Sequence, residues 1–91
     1  MNVYVVSYDL DQPGPQNYDR LIARLQKLGA IRILYSQWLL KFNANAAALE
    51  SDLINYIDPA TDTFLVTALT RDTAWNKLMI SDSEFRVWLN S

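Results

Sequence analysis

The chain of 91 residues contains no cysteine and no histidine. This composition excludes zinc sites built from cysteine and histidine, thiol nucleophiles and imidazole general bases. A bound metal ion would be held by oxygen atoms, which restricts it to magnesium, manganese or calcium. The absence of cysteine is compatible with a reducing compartment but does not establish one.

Long apolar runs are also absent. No stretch approaches the roughly 20 apolar residues that a membrane-spanning helix needs, and the start Met1-Asn2-Val3-Tyr4 lacks the basic segment of a signal peptide. We therefore expect a soluble cytoplasmic protein with no membrane contact. The length predicts a single domain, residues 1–91, that buries only a modest fraction of its surface when folded alone, so association would stabilise it.

The charge is unevenly distributed along the chain. Residues 16–41 carry five basic and one acidic side chain, whereas residues 42–91 carry three basic and seven acidic ones. Arg20, Arg24 and Lys27 recur at helical spacing and predict one basic helix face. The spacing alone favours an ordinary solvated face over a phosphate-binding stripe. The net charge of −2 would not steer nucleic acid strongly.

The periodicity of apolar residues predicts six regular elements. The elements are a strand over 2–10, a helix from the N-cap Asn17 to Gly29, hairpin strands over 30–35 and 38–42, a helix from Asn45 to about Ile57, and a strand over 63–69. Because the first strand is apolar on both faces, it belongs in the middle of a sheet. The order predicts an α+β protein with the ferredoxin-like βαββαβ fold, a four-stranded antiparallel sheet with helices on one face.

Residues 70–91 form a tail beyond this predicted core of residues 2–69. We expect a turn or short helix over 70–76 and a short extra strand over 77–80. Ser81 and Glu84 have the spacing of a capping box that introduces a final helix with Phe85 on its apolar face. A sheet covered by helices on one side leaves its other face open, so the tail, a second protomer or both should cover it.

Asp9 ends the predicted central strand and is the main candidate for chemistry. Rigid backbone would hold its carboxylate at the sheet's edge, where it can bind a metal ion, especially if a second copy of the chain supplies another acid. The alternative is that Asp9 simply starts the turn towards Gly14, and taken alone this interpretation has more weight. Asp11 is a possible second acid, or a cap of the same turn.

Three segments together resemble a known family. They are residues 3–9, which end in Tyr8-Asp9, residues 29–38, which contain Tyr35-Ser36, and the acid-rich break before the fourth strand. The chain is similar over roughly residues 2–69 to the small CRISPR-associated adaptation endoribonuclease-like proteins of the spacer-integration complex. The virulence-associated protein D toxins and a group of uncharacterised small proteins resemble the same pattern.

The resemblance implies a homodimer in which the two Asp9 side chains face each other and share Mg²⁺, or Mn²⁺. Such a dimer would be a metal-dependent endonuclease acting on RNA or DNA phosphodiesters. The alternative is a non-catalytic scaffold that binds nucleic acid or protein, with a CRISPR integrase as a possible partner. A small regulatory domain is a third possibility, since the fold hosts many roles.

The resemblance also implies roles for individual residues. Tyr8 would flank the catalytic Asp9, Arg32 would contact phosphate, and Ser36 would donate a hydroxyl hydrogen bond. The plainer alternatives are an interface aromatic, a solvated arginine and a turn former. The scaffold alternative would bind nucleic acid through Arg32 and through the basic helix face. The neutral segment 12–16 replaces the family's basic residues and removes phosphate contacts beside the metal.

Overall fold

A computed structural model describes residues 2–10 and 15–91, with side chains from residue 18 onwards in the first helix. The strands are β1 (Asn2–Asp9), β2 (Ile31–Leu34), β3 (Gln37–Phe42) and β4 (Thr63–Ala68); the helices are α1 (Pro15–Lys27), α2 (Ala46–Leu53) and α3 (Asp82–Leu89). A 3-10 turn, Ile54–Tyr56, extends α2. The described residues therefore form an α+β protein with one four-stranded antiparallel sheet in the order β2-β3-β1-β4. The α+β prediction is confirmed.

Strand β1 lies inside the sheet, between β3 and β4. Its apolar residues on both faces explain this position, because a central strand is covered on each side. Side chains alternate along the strand, so Tyr4, Val6 and Tyr8 point to one face while Val3 and Val5 point to the other. The prediction of a central first strand is confirmed.

Helices α1 and α2 cover the first of these faces. Leu21 and Leu25 of α1 and Leu49 and Leu53 of α2 are fully buried against the even-numbered residues of β1. Removal of this apolar surface from water is the main force that holds the two helices on the sheet.

The tail covers part of the opposite face. Phe85 of α3 is buried in a second cluster with Val3, Ile33 and Leu39. The Trp75 ring packs edge-on against Phe85 with a centroid distance of 4.6 Å. The sheet is thus sandwiched between α1 and α2 on one side and the tail of the same chain on the other.

Local end signals account for most element boundaries. Gly29 follows α1 with φ of 81°, and the amide of Ala30 donates to the carbonyl oxygen of Leu25 at 3.0 Å, as expected for a glycine that ends a helix. The Asn45 side chain accepts from the Ala48 amide at 2.9 Å, and Ser81 accepts from the Glu84 amide at 3.2 Å. These predicted end signals are confirmed.

Two boundaries differ from the predictions. Helix α1 begins at Pro15, so Asn17 lies inside its first turn instead of at its N-cap. Proline suits this position because its missing N–H has no intrahelical partner in the first turn. Helix α2 ends at Leu53 and tightens into the 3-10 turn before Ile57.

Residues 70–80 form neither helix nor strand, so the predicted extra strand over 77–80 is wrong, and of the turn or short helix expected over 70–76 the helix does not form. Lys77 has a left-handed backbone with φ of 56°, which interrupts an extended strand. The amide of Met79 donates to the carbonyl oxygen of Ile33 at 2.9 Å. Burial of Trp75, Leu78 and Ile80 against the second cluster holds the segment in place without a regular hydrogen-bond ladder.

Candidate functional site

Three parts of the chain meet at the end of the sheet where β1 finishes. Asp9 is aligned with Thr63 at the start of β4, and the Thr63 hydroxyl donates to the Asp9 carbonyl oxygen at 2.9 Å. The Tyr8 amide donates to the carbonyl oxygen of Ser36 in the β2–β3 turn at 3.1 Å. We call this region the Asp9 end of the sheet; Ser36 lies in the adjacent β2–β3 turn, and its predicted role as a hydroxyl donor stays a prediction.

The Asp9 side chain is exposed at this end. It lies on the same face of the sheet as Ser7, beside a depression of about 320 Å³ that Thr63 and Leu65 also line. Leu65 is 60% exposed, so the tail, which covers only part of this face, leaves it uncovered. The uncovered patch is defined by Ser7, Asp9, Thr63 and Leu65.

Asp9 belongs to no cluster of three or more acids in the described part of the chain. Over residues 2–10 and 15–91, no group of three or more acidic side chains lies close enough together to hold a metal ion. A cation at Asp9 would therefore need oxygen ligands from water, from a bound substrate or from a second chain. Asp11, the second candidate acid, lies outside the described residues, and the Mg²⁺ or Mn²⁺ site stays a prediction.

Tyr8 borders the depression beside Asp9, but its side chain points to the other face of the sheet. Its side chain is buried on the helix-covered face, where its hydroxyl accepts a hydrogen bond from Nε1 of Trp38 at 3.0 Å. The Tyr8 ring packs edge-on against Tyr18 with a centroid distance of 6.0 Å. Neighbouring strand residues point to opposite faces, so the structure separates the two side chains that the sequence placed in one catalytic site.

Arg24 forms an ion pair with Asp52. Its guanidinium donates to both carboxylate oxygens of Asp52, at 2.9 Å through Nε and at 2.6 Å through a terminal nitrogen, and lies 5.3 Å from the Tyr56 ring centroid. The hydrogen bond from Arg24 lowers the pKa of Asp52 below its ordinary value. Much of the positive charge of Arg24 is thus matched within the protein.

Arg20 and Lys27 flank this pair on the surface of α1. Arg20 donates to the carbonyl oxygen of Asn55 at 2.9 Å and remains exposed, as does Lys27. Together with Arg24 and Tyr56 they line a groove of about 320 Å³, which we call the α1 groove. The predicted basic face is therefore present. Within residues 2–10 and 15–91, Arg24 is its one member that forms an ion pair, and Arg20 and Lys27 do not.

Arg32 is half-buried on the edge strand β2. Its guanidinium carbon lies 4.8 Å from the Trp38 ring centroid and 5.8 Å from that of Tyr35. Tyr35, in the β2–β3 turn, is 82% exposed. Sequence reasoning selected Arg32 but missed Tyr35 as a candidate, because it placed Tyr35 at the end of the first hairpin strand, whereas the structure places it in the turn.

No model of a known protein family matches the chain. The resemblance to the CRISPR-associated family is therefore still a prediction. Among the described helices, none combines the length and the apolar composition that crossing a bilayer requires.

Proposed function

We propose that the protein is a ferredoxin-like, homodimeric scaffold that binds nucleic acid without cutting it. The element order β-α-β-β-α-β, with strands in the order β2-β3-β1-β4, supports the ferredoxin-like assignment. The observation that carries the binding function is the α1 groove. There, the exposed cations Arg20 and Lys27 lie beside an aromatic ring, an arrangement suited to phosphate and sugar contacts.

The small number of carboxylates near Asp9 favours a binding function over a catalytic one. Cleavage of a phosphodiester by a metal ion needs the ion to activate water and to neutralise charge on the phosphate. Asp9 contributes one carboxylate per chain, and no acidic cluster accompanies it among the described residues. The neutral segment 12–16 also supplies no cation beside Asp9.

The uncovered patch is the proposed dimer surface. Leu65 is an apolar side chain, 60% exposed, on the sheet face that the tail covers only in part. A small domain gains stability by burying such surface against a second copy. The CRISPR integrase partner and the cytoplasmic location belong to this proposal on the strength of the family resemblance.

Electrophoretic mobility shifts with RNA and DNA oligonucleotides test the proposal. Wild-type protein should shift oligonucleotides in EDTA, and reversing the charges with Arg20→Glu and Lys27→Glu should abolish the shift. Each phosphate contact removed should also lower the salt dependence of binding by about one unit of log-log slope. Arg71→Glu together with Lys77→Glu, which reverses two exposed charges in the tail, is the matched control and should retain binding. Equal loss in the control would show that net charge, and not the α1 groove, governs the interaction.

A magnesium-dependent nuclease is the second candidate, because the exposed Asp9 lies in the proposed dimer surface. A twofold axis there would bring two carboxylates to one cation. Cleavage of oligonucleotides in Mg²⁺ or Mn²⁺ should then disappear in Asp9→Asn and persist in Asp19→Asn, an exposed acid on α1. Undiminished cleavage by Asp9→Asn would indicate a contaminating nuclease.

Sedimentation equilibrium tests the dimer separately. Leu65→Glu places two like charges in the proposed interface and should produce a monomer. Val87→Glu, at an exposed apolar residue of α3, is the control and should leave the dimer intact. A wild-type monomer would remove the basis for a shared metal ion.

A further inference from the structure

Arg32 has a buried hydrogen-bond donor without an acceptor. Its Nε atom is shielded from solvent and has no hydrogen-bond partner among the described residues. Buried donors are nearly always paired, so an unpaired one requires an explanation. The planar guanidinium, with five N–H donors, is suited to an anionic oxygen ligand such as phosphate.

The surroundings of Arg32 hold the guanidinium in a defined position. Trp38 is buried, and its indole N–H is tied to the Tyr8 hydroxyl at 3.0 Å. The Arg32 guanidinium carbon lies 4.8 Å from the centroid of this fixed ring, within the range of a cation–π contact. The side chain is therefore ordered before any ligand arrives, which reduces the entropy lost on binding.

Tyr35 supplies a second contact surface next to this cation. Its ring centroid lies 5.8 Å from the Arg32 guanidinium carbon, yet the residue is 82% exposed. Most of an aromatic ring in the turn thus faces solvent. Such a ring offers a stacking surface for any nucleobase, because every base has a π face.

We propose that Arg32 and Tyr35 bind an unpaired nucleotide of single-stranded RNA or DNA. Tyr35 stacks on the base, and the terminal nitrogens of Arg32 donate hydrogen bonds to an adjacent phosphate, since Nε itself is shielded from solvent. The inference rests on the proposed nucleic-acid-binding function and adds the strandedness of the ligand. It assigns a second contact region, in the β2–β3 turn, that is distinct from the α1 groove.

The chemistry of the pair selects single strands over duplexes. Bases in a duplex stack on one another and present only their edges in the grooves, whereas an unpaired base presents its face to a side chain. Phosphate is common to both forms, so Arg32 alone would not discriminate between them. Discrimination therefore depends on the Tyr35 ring.

Affinity measurements on the full-length chain test this assignment. Fluorescence anisotropy with labelled single-stranded and blunt duplex oligonucleotides, each as RNA and as DNA, separates the strand and sugar preferences. Tyr35→Ala should lower single-strand affinity about ten-fold, in line with the usual effect of removing one stacking ring, and leave duplex affinity unchanged. Tyr35→Phe keeps the ring and should bind like wild type. Leu34→Ala, at the neighbouring exposed position, is the matched control and should bind like wild type as well.

A nuclear magnetic resonance titration reads the site directly. A single-stranded tetranucleotide should move the Arg32 Nε–H resonance and the Tyr35 ring signals, and a blunt duplex should not move the ring signals.

An unchanged single-strand affinity in Tyr35→Ala, or an equal loss for both forms, would overturn the inference while the α1 groove proposal stood. Shifts with an acidic peptide but not with the tetranucleotide would overturn it in favour of a protein ligand. Absence of any nucleic-acid binding by wild type would overturn both proposals.

Discussion

The indole nitrogen of Trp38 donates a hydrogen bond to the hydroxyl of Tyr8 at 3.0 Å, and both side chains are buried. The bond joins neighbouring strands β1 and β3 on the face covered by α1 and α2. It places the Tyr8 hydroxyl at the edge of the ring on which Arg32 stacks. Tyr8 thus supports the β2–β3 turn from inside the protein.

Tyr8→Phe removes the acceptor of this bond and leaves a buried N–H unsatisfied. We expect a loss of about 1–3 kcal/mol in the free energy of unfolding, measured by urea denaturation. Tyr35→Phe removes a hydroxyl from an exposed ring and should change stability by less than about 0.5 kcal/mol. Equal effects of the two substitutions would contradict the structural role assigned to the Tyr8 hydroxyl.

Phe85→Ala tests whether the tail belongs to the folded core. Phe85 is 2% exposed in the cluster on the second face of the sheet, and deletion of a buried phenylalanine ring costs about 3–5 kcal/mol. Val87→Ala, at a 66% exposed position of the same helix, should cost less than about 0.5 kcal/mol. Thermal unfolding followed by circular dichroism distinguishes them. If Phe85→Ala unfolds at the wild-type temperature, the tail is not part of the cooperative unit.

Gly29→Ala isolates a backbone effect. Gly29 has φ of 81°, and a Cβ added there would meet no atom within 4 Å, so the cost comes from conformation and not from a clash. A left-handed alanine should destabilise the fold by about 1–2 kcal/mol. Gly29→Asn should cost less, because asparagine tolerates this conformation better. Denaturant midpoints measure the stability of both variants. A greater loss of stability in Gly29→Asn than in Gly29→Ala would contradict the left-handed conformation of residue 29.

Asp52→Asn should have a pH-dependent effect. The pKa of Asp52 is lowered by its hydrogen bond from Arg24, so the pair stabilises the protein above the ordinary carboxyl pKa of 3.8 and loses that contribution as pH falls through the lowered value. Wild type should therefore be more stable than Asp52→Asn at pH 7, with the difference shrinking below about pH 4. Urea midpoints at pH 7, 5 and 3 measure this trend.

Asp72→Asn is the control for that series, since Asp72 is exposed in the tail and is not part of the Arg24–Asp52 ion pair. Comparison of the two series separates the effect of the ion pair from the general effect of pH on the fold. A constant difference between Asp52→Asn and wild type would show that the ion pair contributes nothing measurable, as is true of many partly exposed pairs.

The sequence alone was sufficient for features that depend on a few consecutive residues. The two-sided apolar run of β1 predicted a central strand, Gly29 predicted a helix end, and Asn45 and Ser81 predicted helix caps. Such signals act through local backbone geometry and solvent exposure, which neighbouring residues largely determine.

The tertiary structure decided the composition of the candidate sites. Asp52 neutralises Arg24 from a position 28 residues away, and Trp38 engages Tyr8 from a position 30 residues away. Neither partner is visible in local periodicity. The same holds for residues 70–80, whose irregular path follows the shape of the sheet face that they cover. A local pattern predicts which face a side chain joins, but its partners depend on how distant elements pack, because those contacts form only when the chain folds.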